Sequence, residues 1–207
     1  MQNDKQVLFD EINQHLLQDI KPSEYLNVLM EGSTFQEEYP FTLLSRLKKI
    51  EQSPQHHPEG NVWNHTLLVL DNSAQVKDKS SDRRVFMWSA LLHDLGKATT
   101  TKLRKGRITS YDHDKEGEKL AQSFLEYFTQ DQDFITRVSR MVRWHMQILF
   151  VTNKLPFAEI ETMKSQADIK EIGLLGLCDR LGRKMDQDIQ KEIEIMENFI
   201  RVCNQKD

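Results

Sequence analysis

Two stretches in the middle of this chain narrow its fold more than anything else in it. Residues 63–76 place Trp63, Leu67, Leu68, Val69, Leu70 and Ala74 on nearly all sides of a helix, and residues 85–95 are almost wholly apolar. A helix that is apolar all round has no face to give to water, so it belongs at the centre of a helical domain. The remaining segments supply the wrapping. Helical period predicts helices over 4–18, 22–31, 40–51, 113–129, 132–149, 157–164, 168–181 and 186–203. Pro22-Ser23 marks a start and Ser53-Pro54 an end. The last helix shows the stripe Ile189, Ile193, Met196, Ile200, Cys203. Gly96 is read as the stop of the second apolar helix. Residues 100–111 alternate loosely around Lys105-Gly106, which predicts a short hairpin. The fold class is all-α, with one β-hairpin at most.

Composition excludes several function classes. The chain has 207 residues, enough for one sizeable core, and is 38% hydrophobic and 29% charged, as a soluble globular protein is. A formal net charge of -4 is wrong for a general nucleic-acid coat, which needs a basic surface. The first ten residues are polar and lack a signal-peptide core, and no apolar run is long enough to span a bilayer. Cys178 and Cys203 make no disulfide framework. The expectation is a reduced cytoplasmic protein with no membrane partner.

Chemistry is signalled by polar residues standing where apolar ones belong. His93-Asp94 ends the apolar run 85–92, where a carboxylate meets the negative end of the helix dipole. Asp179 follows the run 172–178 and shares a face with Ile172 and Leu175. His145 continues the stripe Phe134, Val138, Met141, with Arg137, Arg140 and Trp144 assigned to the exposed side. His113 extends the stripe Gly117, Leu120, Phe124, Phe128, and His65 stands inside the apolar helix 63–76. Singly, each reads as a hydrogen-bonded core residue or a cap. Jointly, four core-facing histidines and two misplaced aspartates have one economical solution, convergence on cations that offset the cost of burial. Imidazole mixed with carboxylate, and no thiolate, suits Fe, Mn, Ni, Co or Zn. Six ligands exceed the needs of one open catalytic ion and fit two divalent ions sharing a carboxylate.

The same residues resemble a known family. His65, His93-Asp94 and Asp179 reproduce the H…HD…D signature of HD-domain proteins, and His113 and His145 match the two-metal subset. The likeness covers about residues 55–185. Within it, His57-Pro-Glu-Gly-Asn-Val-Trp-Asn-His65-Thr, Ala90-Leu-Leu-His-Asp-Leu-Gly-Lys97, His113-Asp-Lys-Glu-Gly117 and Asp179-Arg-Leu-Gly-Arg183 are similar to the C-terminal HD domain of bacterial tRNA nucleotidyltransferases. Nothing like their nucleotide-binding half precedes residue 55, so a stand-alone HD protein is expected, with a helical extension over 1–55 and an HD domain over 56–207. The resemblance implies an HD helical bundle that hydrolyses phosphomonoesters or cyclic 2′,3′ and related phosphodiesters. It assigns His65, His93, Asp94 and Asp179 to one ion, and His113 and His145 to a second with Asp94 bridging. The His-His-Glu and Gly-Tyr-Pro runs of the cyclic-dinucleotide phosphodiesterases are missing after Trp144.

Around this set, Asp94 and Lys97 are the candidate catalytic residues, and Lys97 and Arg183 the candidate phosphate-binding ones. Lys102, Arg104, Lys105 and Arg107 make a basic hairpin that favours an anionic substrate if it borders the site; basic loops are more often only solvated. His57 is assigned to a surface loop, His15 and His56 carry no signal, and Trp63 and Trp88 are core anchors. The expected partner is a small phosphorylated or nucleotide substrate, with RNA a further candidate. Two other classes use the same residues: a di-iron HD-type oxygenase, and a non-catalytic nucleotide- or RNA-binding HD module.

Overall fold

A computed structural model describes residues 2–183 and 188–205, of which the regular structure is overwhelmingly helical. In chain order the helices are α1 (Gln2–Gln18), α2 (Pro22–Met30), α3 (Ser33–Glu37), α4 (Thr42–Ser45), α5 (Val62–Val76), α6 (Arg83–Leu92), α7 (Lys97–Thr100), α8 (His113–Glu126), α9 (Gln132–Trp144), α10 (Gln147–Thr152), α11 (Ile160–Gln166), α12 (Ile169–Leu181) and α13 (Ile189–Asn204). Strands β1 (Lys102–Arg104) and β2 (Arg107–Thr109) pair antiparallel, Lys102 opposite Thr109 and Arg104 opposite Arg107. Lys105 and Gly106 have φ of 49° and 75°, the two left-handed residues that a tight hairpin turn requires. No helix among the described residues is long and apolar enough to cross a membrane.

Local chemistry starts these helices where they start. Asn61 accepts from Asn64 N at 2.9 Å and opens α5, while Asp82 accepts from Arg84 N and Val85 N and opens α6. Asp131, Asp168 and Asp188 do the same for α9, α12 and α13. The two apolar helices lie at the centre as expected. Trp63, Val69, Leu70, Phe86, Met87, Trp88, Leu91 and Leu92 are all buried, each large one worth about 1.5–3 kcal/mol of burial. Residues 2–50 pack onto the same core. Phe9 stacks on Trp88 at 4.6 Å and on Phe128 at 4.5 Å, Ser23 bonds Asp71 on α5, and Lys77 donates to the Asp19 carbonyl at 2.8 Å.

Four expectations need correction. The predicted helix 40–51 is instead α4 followed by a tighter 3₁₀ turn over Arg46–Lys49. The predicted helix 132–149 is broken between α9 and α10, at His145-Met146. Trp144 is buried, not exposed: its Nε1 donates to Gln166 Oε1 at 3.2 Å and Arg143 lies over its ring. Gly96 does not stop a helix by turning left-handed, since its φ is -64°. It is needed for space. A Cβ there would stand 2.0 Å from the His113 carbonyl oxygen and 2.6 Å from Gly117 N, so α7 and α8 touch backbone to backbone at this point.

Candidate metal centre

The ends of helices bring the six sequence-predicted residues together. His65 lies in the second turn of α5, His93 and Asp94 follow the last residue of α6, and His113 opens α8. His145 follows the last residue of α9, and Asp179 sits near the end of α12. All six are less than one-tenth exposed. His145 follows the buried stripe Phe134, Val138, Met141 of α9, and its ring is held by the Val142 carbonyl.

Asp94 stands at the middle of the group. Its Oδ2 faces His93 Nε2 at 3.3 Å and His65 Nε2 at 3.9 Å. Its Oδ1 faces His113 Nε2 at 3.5 Å and His145 Nε2 at 3.8 Å. Asp179 Oδ1 lies 2.8 Å from His65 Nε2. Donor atoms of His65, His93 and Asp179 fall within 4.8 Å of one another, and so do those of Asp94, His113 and His145. The arrangement is two neighbouring sets of potential ligands with one carboxylate directed at both.

The hydrogen bonds on the far side of each ring decide what these sets can hold. His93 Nδ1 donates to the Ala90 carbonyl at 2.8 Å, His113 Nδ1 to Ser110 at 2.8 Å and His145 Nδ1 to Val142 at 2.6 Å. His65 Nδ1 lies 2.9 Å from Glu59 Oε1. With the Nδ1 protons so placed, the Nε2 atoms of His93, His113 and His145 present lone pairs to the centre, while His65 Nε2 bonds Asp179 Oδ1. The His113 and His145 Nε2 atoms then confront each other at 3.3 Å, and buried His93 Nε2 has no hydrogen-bond partner among the described residues. Lone pairs and carboxylates crowded into one buried site need positive charge among them. The donor set therefore fits divalent transition ions, with second-side hydrogen bonds of the kind that orient metal-binding imidazoles.

Protonation follows the same logic. Burial, reinforced by the neighbouring rings His113 and His93, pushes His145 down to about 4, and burial also lowers His113. Both are neutral and ready to ligate at pH 7. Burial would lower His65 too, but its bonds to Asp179 and Glu59 outweigh that and raise it to about 9, so a proton holds the place of a cation beside Asp179. For Asp94, burial is overcome by Lys97 and His93; for Asp179, by His65 and Arg183. Both carboxyls lie well below the usual range. Buried Cys178 is pushed up to about 12 and is no thiolate ligand.

A cavity of about 350 Å³ opens onto the centre, within the range of small-molecule sites. Lys97, Arg183, Gln52, His57 and Met146 line it together with Asp94, His113, His145 and Asp179. Lys97 Nζ lies 2.7 Å from Asp94 Oδ2 and donates to Gln52 Oε1 at 2.8 Å. Buried Arg183 Nε has no partner among the described residues. The basic hairpin meets the cavity only through the partly buried Ile108. His57, assigned to a surface loop, belongs to the site: its ring stands edge-on to His65 at 4.9 Å and its Nδ1 meets Glu59 Oε1 at 2.8 Å. Glu59 was missed altogether. It lies in the segment that begins His57-Pro-Glu, but a carboxylate in a loop beside a proline gives no periodic sign of burial.

Residues 62–184, more than half of the chain, match the HD domain family. Among curated proteins, the Multifunctional CCA protein of Alkalilimnicola ehrlichii is 31% identical over 68% of this chain and 32% of its own length. Those of Actinobacillus pleuropneumoniae serotype 5b and Methylococcus capsulatus are 32% and 25% identical, over 57% and 88% of this chain and 28% and 36% of theirs. The chain thus spans about a third of the length of these relatives. Its helical fold, its ordered H…HD…D residues and the extent of this match agree: the chain belongs to the HD domain family.

Proposed function

We propose that this protein is a metal-dependent phosphohydrolase acting on a phosphomonoester or on a cyclic 2′,3′-type nucleotide phosphodiester. The observation that carries the reading is the direction of the two Asp94 oxygens, one toward His65 and His93, the other toward His113 and His145. His65, His93, Asp94 and Asp179 would hold one divalent ion, and Asp94, His113 and His145 a second. A bound pair supplies a water deprotonated near neutral pH and charge to offset that on a phosphoryl group. The chain's own contribution is arrangement. Glu59 and three main-chain carbonyls aim the imidazoles, and Lys97 and Arg183 add positive charge on the cavity wall, Arg183 with a planar fork suited to phosphate oxygens.

The likeness of its motifs to the HD domain of tRNA nucleotidyltransferases puts nucleotide and RNA phosphates first among substrates to try. The test is a screen of phosphomonoesters, 2′,3′-cyclic nucleotides and dinucleotides with protein loaded in turn with Mn, Co, Ni, Zn and Fe. Turnover is expected in the wild type, with loss of both metal and turnover in Asp94→Ala. Retention of both by that variant would falsify the mechanism. Oxygen uptake by the iron form without phosphate release would move the protein to the oxygenase class.

A further inference from the structure

Beside the metal-facing cavity lies a second, larger one of about 610 Å³. Ser110, His113 and Met146 line both, so the two are adjoining halves of one depression. Their chemistry differs. The first is walled by the centre with Lys97 and Arg183, while the second is walled by Tyr111, Phe150, Pro156 and Phe157. Tyr111 is 65% and Phe157 60% exposed, and they are two of the three exposed aromatic rings among the described residues. Each ring has one neighbour and stays largely open to solvent. Arg104 lies over Tyr111 at 4.8 Å, and Phe150 packs against Phe157 at 5.6 Å. The carboxylates of this half are already matched, Asp114 with Arg143, Glu159 with Arg143 and Asp112 with Lys115.

We infer that this aromatic half is a base-binding subsite: it stacks the nucleobase of a nucleotide whose phosphate lies over the metal-facing half. The inference rests on the phosphohydrolase reading for the position of the phosphate, and it names the substrate class as nucleotides, free or at the end of an RNA strand. An aromatic platform recognises any base by its π-face, so the subsite selects for a base without selecting which one. A sugar phosphate with no base would fill only half of the depression. Arg143, shared by Asp114 and Glu159, and Lys115 beside Asp112 offset most of the negative charge of this half, and the outer carboxylate oxygens can accept from exocyclic amino groups.

Titration calorimetry of the Mn-loaded full chain with adenosine 5′-monophosphate and with ribose 5-phosphate tests this, with kcat/KM compared where either is turned over. A parallel arm uses an RNA trinucleotide bearing a 3′-phosphate. The wild type is expected to favour adenosine monophosphate over ribose 5-phosphate by about tenfold or more, the worth of one base–aromatic stack. Tyr111→Ala with Phe157→Ala is expected to remove that preference and leave ribose 5-phosphate unchanged. A loss in the mononucleotide arm supports the subsite, and a matching loss in the RNA arm shows that it also takes the end of an RNA strand. Both residues are exposed, so the double variant keeps its core. Equal affinity for the two small ligands in the wild type, no nucleotide binding at all, or an equal loss for both ligands in the variant overturns the inference. Nucleotide preference without any phosphate release would instead sink the hydrolase reading and leave the subsite standing.

Discussion

Lys97 Nζ lies 2.7 Å from Asp94 Oδ2, the oxygen that also faces His65 and His93. An ammonium thus stands on the carboxylate edge that a cation at this set would use. Removing it should help the ion and hurt the substrate. Lys97→Met is expected to tighten metal binding at least about tenfold, because a like charge a few ångströms from the ion is gone. It should also lower kcat/KM for a phosphate ester by roughly ten- to a hundredfold, because a phosphate-neutralising charge goes with it. Chelator competition and steady-state kinetics read the two effects separately. Weaker metal binding in Lys97→Met would remove the idea that lysine and ion compete.

The two halves of the centre should separate by mutation. His113→Ala or His145→Ala takes a ligand from the Oδ1 side of Asp94 alone. The wild type is expected to bind two ions and each variant one, measured as metal per chain after dialysis. Activity should fall about a hundredfold or more, since the pair shares the charge stabilisation worth several kcal/mol. Two ions retained in both variants would contradict the assignment.

Glu59 supports His65 from behind. Its carboxyl is buried, and although burial would raise it, bonds to His65 and His57 hold it at about 2, so it is a carboxylate at every working pH. Glu59→Gln keeps the shape and removes the charge. Metal affinity at the His65 side should weaken about tenfold, at the low end of the usual effect of such outer supports, with the far-ultraviolet circular dichroism unchanged. An unchanged metal titration would mean that the contact serves folding alone.

The metal-free protein should be most stable near pH 6.5. His57, by burial and then Lys97, and His145, by burial and its ring neighbours, are both lowered to about 4, and His113 is lowered as well. Between pH 6.5 and 4 the unfolded chain therefore binds more protons than the fold does, and stability falls as the pH falls through that window. His65 works the other way. Its pKa is raised to about 9, so the stability it contributes is whole below pH 6.5 and is lost as the pH rises to 9. Thermal unfolding in chelator from pH 4 to 9 should trace a maximum with a steeper acid limb, three histidines acting there against one. A midpoint that is flat over this range would show that the burial of these rings has no energetic consequence.

Gly96 offers a test of the backbone contact between α7 and α8. Gly96→Ala puts a methyl 2.0 Å from the His113 carbonyl oxygen, an atom that cannot yield as a side chain would. A loss of about 1–3 kcal/mol or more in urea unfolding is expected. Displaced α8 also carries His113, so one ion should be lost at the same time. An unfolding midpoint equal to that of the wild type would show that the helices part without cost.

Much of this was legible in advance, for a definite reason. The proposed ligand residues interrupt long apolar runs, and an interruption is visible because periodicity sets what should be there: His65 inside 63–76, Asp179 after 172–178. The centre's outer parts had no such background. His57 and Glu59 lie in a loop, where exposure is the ordinary expectation and only tertiary packing reverses it. Trp144 was given to the wrong face because Arg143 beside it is itself buried, paired with Asp114 and Glu159. Gly96 was read through torsion when its reason is the distance to a neighbouring helix, which one chain segment does not reveal.

The way the rings are anchored also bears on how such a centre changes over generations. Three of the four imidazoles hang from the carbonyls of Ala90, Ser110 and Val142, and no codon change deletes a carbonyl. Their aim is inherited with the fold. His65 is aimed by Glu59, a side chain, and one nucleotide substitution reaches it. Drift can therefore retune the half of the centre that contains His65 while the half built on His113 and His145 stays put, so descendants that keep all six residues can still differ in how the two halves are tuned.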